Sequence, residues 1–130
     1  MEVKSIAGNK SYRFALKIDH VYRALTKEKK EFISSKQLLR SGTSIGANVN
    51  EGLAAESKKD FTHKFHIAMK ETRESIYWLH LLKDIEYLEE SVFVSLSSDC
   101  KEISKMLSSI IITTKKKYLS KMESNVFTSE

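Results

Sequence analysis

A chain of 130 residues, 41% hydrophobic and 30% charged with a net charge of +5, is the size of one domain, too apolar to be disordered and too charged to span a membrane. Cys100 stands alone, which excludes an internal disulfide and any multi-cysteine zinc or iron–sulfur site and suits a reducing cytosol. Residues 1–10 lack the apolar core of a signal peptide and no run reaches the ~20 apolar residues of a membrane helix, so a cytoplasmic protein with no membrane partner is expected.

The chain contains no proline, which favours long uninterrupted helices. Over 11–27, Phe14, Ile18, Val21, Tyr22 and Leu25 recur at spacings of three and four, the period of an amphipathic helix. The run Lys27-Glu28-Lys29-Lys30-Glu31 reads as a solvated turn, with Ser34 or Ser35 as the next N-cap. The second segment, 35–55, carries Gly42, Gly46 and Gly52. Leu38, Gly42, Ile45, Val49 and Gly52 or Leu53 keep a helical period through those glycines, although a glycine loop between two short helices is the alternative. An interior glycine costs about 1 kcal/mol relative to alanine, so a continuous helix implies a neighbouring backbone packed closely against it.

The third segment, 57–87, opens with Ser57 as N-cap and Asp60 at N3. One stripe holds Phe61, Phe65, Ala68, Thr72, Ile76, Leu79 and Leu82; a second holds Glu71, Glu74, Trp78, Leu81 and Ile85. Two seams imply two neighbours, so Trp78 is either a core or an oligomer contact. The fourth segment, 91–117, has Leu96, Cys100, Ile103, Leu107 and Ile110 in helical register, against the strand-like alternation of Val92 and Val94 and the β-branched run 110–114. The reading is a single all-α domain over 1–130, an antiparallel up-down-up-down four-helix bundle with its core in 11–117 and frayed tails at 1–10 and 118–130.

If the second and third helices fold back on each other near residue 57, facing positions have numbers totalling about 114, because both rise 1.5 Å per residue. Arg40 then meets Glu74, with Glu71 one turn away; Asn48 faces His66 and Glu51 faces His63. The plain account of this seam is a set of interhelical pairs that fixes register. No Glu-x-x-His pair of the kind used by bundle metal sites is present, and His63 and His66 with Glu51 make a weak ligand set, so neither metal nor cofactor is expected. Arginine beside Glu71 and Glu74 argues against a poised acid and base, and Cys100 on an apolar stripe reads as core, so catalysis is not expected.

Positive charge is concentrated at the two ends of the chain: residues 1–33 carry +4 and 91–130 carry +2, leaving the middle slightly acidic. Lys10, Arg13 and Lys17 share a face of the first helix, and Lys115, Lys116 and Lys117 cluster late in the fourth, its expected neighbour. Joined, they would form a basic surface for nucleic-acid phosphate.

The stretch from Gln37 to Gly52, with Arg40-Ser41-Gly42-Thr43-Ser44-Ile45-Gly46-Ala47-Asn48 at its centre, resembles the bacterial four-helix-bundle proteins encoded within intervening sequences of 23S rRNA genes. Lys59-Asp60-Phe61, Ile67-Ala68-Met69-Lys70-Glu71 and Tyr77-Trp78-Leu79 extend the likeness, which spans 11–117. The resemblance implies that the second segment is helical, that copies assemble as a ring-shaped homopentamer, and that the shared polar motif falls on Arg40, Asn48, Glu51, Glu71 and Glu74. Asn50 stands where relatives often carry a second glutamate. Similar proteins include a retroelement accessory protein that associates with nucleic acid and a reverse transcriptase; the family has no established catalytic activity. The expected function is therefore RNA or other nucleic-acid binding by an oligomeric bundle, the alternative being a scaffold for a protein partner such as a reverse transcriptase-type enzyme.

Overall fold

A computed structural model describes the backbone of residues 5–128 and the side chains of residues 5–124. Four helices follow one another: α1 (Ile6–Lys27), α2 (Ser34–Leu53), α3 (Lys58–Asp84) and α4 (Glu90–Thr128). Each packs antiparallel against its sequence neighbours and α4 closes back on α1, most slenderly at that last seam, giving the expected up-down-up-down bundle. Phe14, Ile18, Leu38, Ile45, Val49, Phe65, Leu79, Leu82, Cys100, Ile103 and Leu107 are all but inaccessible and form one core. Burial of each large aliphatic or aromatic side chain contributes about 1.5–3 kcal/mol.

Several boundaries differ from the sequence reading, each for a local reason. Helix α1 starts at Ile6, because the Ser5 hydroxyl accepts the Gly8 N–H at 3.1 Å and Ala7 and Gly8 are buried. Residues 5–10, expected to fray, are thus ordered by a cap; residues 1–4 of that tail lie outside the description. Neither Ser34 nor Ser35 caps α2. The carboxylate of Glu31 does so, accepting the backbone N–H groups of Ile33, Ser34 and Ser35 within 3.1 Å. Glu31 is therefore buried rather than solvated, with Lys30 turning the chain at φ 56°. Ser57 caps α3 as expected, through the Asp60 N–H at 3.1 Å. Helix α4 runs on to Thr128, past the expected end at 117, because no proline or glycine interrupts it. Its β-branched run stays helical, since Ile103, Leu107 and Ile111 bury on one stripe.

Helix α2 is continuous through its glycines. Two of them receive side chains rather than the neighbouring backbone that was anticipated. A Cβ at Gly42 would lie 3.0 Å from the Ile18 side chain, and one at Gly52 would lie 2.8 Å from the Phe65 ring. Gly46 does face backbone, at Ser11, at an ordinary 3.4 Å. Removing Cβ at two points lets bulky residues of α1 and α3 sink against α2, and the buried burial gain offsets the low helix propensity. Beside Gly42, the Ser75 hydroxyl donates to the Ser41 hydroxyl across α3 and α2 at 2.9 Å.

Candidate nucleic-acid interface

The α2–α3 register agrees with the geometric expectation along part of its length. Arg40 pairs with Glu74 through Nη2 and donates from Nη1 to Glu71 at 3.3 Å. Trp78 Nε1 donates to the same Glu74 carboxylate at 3.1 Å, so the half-buried indole is fixed at the rim of the core with Tyr77 set edge-on to it. This cluster lies at the surface: the Arg40 side chain is 47% exposed. Further along, the seam separates. Asn48 donates to Ser44 O of its own helix at 2.8 Å, and Glu51 pairs with Lys64 at 2.8 Å. His63 and His66 are turned away from α2 toward α4. The Glu51, His63 and His66 set thus does not assemble, and the described residues contain no group of three His, Cys, Asp or Glu side chains suited to a metal ion.

The anticipated basic surface joining α1 to the end of α4 does not form. Lys10 pairs with Glu102 and lies 3.7 Å from Asp99, while Lys17 pairs with Asp99 at 2.8 Å. The hydrogen bond to Glu102 holds the Lys10 ammonium above the ordinary lysine pKa against the opposing effect of partial burial, with the charges of Glu102 and Asp99 helping. Arg13 is exposed on the same helix. Lys115 lies thirteen residues beyond Glu102, about 20 Å further along α4, so Lys115, Lys116 and Lys117 are not neighbours of Lys10 or Lys17. Cys100 sits beneath this seam. Burial first, and the Asp99 charge second, push its thiol up to about 12, leaving it neutral and unreactive near pH 7.

Positive charge instead gathers between α3 and α4. Lys59, His63, His66, Lys70 and Arg73 recur on α3 at spacings of four, three, four and three, which places them on one helix face. That face lines two adjoining recesses. One, of about 640 Å³, runs from Arg73, Lys70 and His66 across to Ser104, Ser108, Ile112 and Lys115. The other, of about 490 Å³, continues past Lys58, Lys59 and His63 to Thr114, Tyr118 and Leu119. No carboxylate lines either, and among the described residues Lys58, Lys59, Lys70, Arg73, Lys115 and Lys117 make no ion pair. Of the acidic residues of α3, Glu71 and Glu74 pair with Arg40 of α2 instead. Of the cations singled out in the sequence, only Lys115 lines these recesses. The α3 stripe was hidden by the near-neutral net charge of the middle segment, although the same periodicity test used for apolar residues finds it.

These features define an all-helical bundle carrying one unneutralised basic groove, with its charged motif residues spent on helix pairing. The chain belongs to the 23S rRNA-intervening sequence protein family, whose sequence profile matches residues 4–109. Among solved structures it is similar to a protein with unknown function from the S23 ribosomal protein family of Bacteroides thetaiotaomicron VPI-5482, at 48% identity and a TM-score of 0.80, over 82% of this chain and 98% of that one. No curated protein matches it. No helix among the described residues is long and apolar enough to cross a membrane.

Proposed function

We propose that this protein acts by binding nucleic acid, RNA foremost, through the basic face between α3 and α4, and that it does so without catalysis. The observation that carries this reading is the alignment of Lys58, Lys59, Lys70, Arg73 and Lys115 along two recesses that contain no carboxylate. Cations already neutralised by neighbours gain little from phosphate; these have no such partner, so each can release a counterion from the nucleic acid. The reading includes a cytoplasmic homo-oligomer, pentameric by resemblance, in which several copies of the groove would act together and raise avidity. A salt titration of binding tests it. With these five cations engaged, the slope of log K against log salt for a single strand is about −3.5 or shallower. Binding that is indifferent to salt would remove the electrostatic interface, and sedimentation at 14.9 kDa alone would remove the oligomer.

A second reading, an accessory protein that docks another protein, is supported by a separate recess between α1 and α4 lined by Leu16, Val21, Val92 and Leu96, where Leu16 is 55% exposed. Substituting Leu16→Ser should leave salt-dependent oligonucleotide binding unchanged if that recess serves a protein alone.

A further inference from the structure

We infer that the α3–α4 groove takes a single strand of nucleic acid, with bases laid on its α4 wall and phosphates along its α3 rim; this deepens the nucleic-acid reading and rests on it. The two walls differ in chemistry. The α3 wall is cationic, through Lys59, Lys70 and Arg73. The α4 wall adds large apolar and aromatic surface: Ile112, Tyr118 and Leu119 line the recesses and are 50%, 49% and 58% exposed, with Lys115 and the hydroxyls of Ser104, Ser108 and Thr114 between and beside them. Large apolar side chains left open beside a row of free cations are poorly matched to a duplex, which presents sugar and phosphate outward and keeps its base faces stacked inside. A single strand offers both surfaces at once, a charged backbone on one edge and flat π-faces on the other.

The dimensions agree. From Lys59 to Arg73 the α3 face extends fourteen residues, about 21 Å. At a spacing of ~3.4 Å per phosphate along one stacked strand, that length accommodates about six phosphates, enough to engage Lys58, Lys59, Lys70 and Arg73 of α3 and Lys115 of α4 on one strand.

Fluorescence anisotropy with the full chain separates this inference from the broader reading. The probes are twelve-nucleotide single strands of RNA and of DNA and the corresponding twelve-base-pair duplexes, at low salt. Both single strands are expected to bind about tenfold or more tightly than either duplex, since phosphate and base face are common to RNA and DNA. Tyr118→Ala is expected to weaken single-strand binding about fivefold or more while leaving duplex binding within about twofold, and Tyr118→Phe, which keeps the ring, to restore it. Tyr118 is half exposed, so circular dichroism should show both variants folded. Duplexes binding as tightly as single strands, or Tyr118→Ala weakening both alike, overturns the single-strand inference and leaves the electrostatic interface standing. If no oligonucleotide binds, both fall.

Discussion

Helix α4 meets lysines on both of its sides, and beyond the Lys83–Glu90 pair at its start the two seams treat them in opposite ways. Toward α1 it presents Asp99 and Glu102, and Lys10 and Lys17 are neutralised. Toward α3 it presents Ser104, Ser108, Ile112 and Lys115, and the facing Lys70 and Arg73 stay free. A lysine that has found a carboxylate is part of the fold, and its further attraction for phosphate is small; one facing hydroxyls and apolar groups remains a site for an external anion. The location of free cations, more than their number in the sequence, therefore marks the surface fit for nucleic acid.

The contrast is broken most directly by reversing charge on the free side. Lys70→Glu, Arg73→Glu and Lys115→Glu together should lower oligonucleotide affinity about a hundredfold at low salt with little change in melting temperature, since all three side chains are exposed; anisotropy and thermal melts check both halves. The neutralised side is probed through Cys100. Its thiol should resist thiol-specific reagents near pH 7.5 until the protein unfolds. Because the folded thiol titrates near 12 and the unfolded one near 9.0, the unfolded state loses its proton first, so this group's contribution to stability declines as pH rises through that interval. Denaturant midpoints measured across the alkaline range would reveal the trend.

A smaller effect is expected from freeing the paired lysines. Asp99→Asn with Glu102→Gln should cost about 1 kcal/mol or less, because these pairs are partly solvated, and should raise oligonucleotide affinity by no more than about threefold. A gain rivalling the loss from the triple reversal would show that pairing does not decide where nucleic acid binds. The smallest change belongs to Arg40→Ala. With its side chain 47% exposed, stability should fall by less than about 1 kcal/mol and binding should not move, which makes it a control for nonspecific charge loss.

Much of this architecture is legible in the chain. The period of Leu38, Ile45 and Val49 carries α2 through its glycines, and antiparallel geometry alone brings Arg40 to Glu71 and Glu74. Other features are not visible at that level. The N-terminal cap of α2 comes from Glu31, a residue in a charged run that looks like solvated turn until the chain bends back at Lys30. Asn48 donates its amide to Ser44 O of its own helix, an outcome that a register count cannot weigh. The glycines needed a neighbour to explain them, and whether that neighbour was backbone or the Ile18 and Phe65 side chains depended on helix approach.

Local periodicity and the absence of breakers determined by themselves that this chain forms four long helices and folds them antiparallel, because those properties depend on residues three to four positions apart and on short connections. Which charges survive as free charges was decided only by packing. Lys17 and Lys70 are alike as sequence, each an exposed lysine on an amphipathic helix, yet one meets Asp99 and the other lines a recess without carboxylates. Coulomb attraction acts across a few ångströms between helices far apart in the chain, so the functional surface exists only once the bundle has closed.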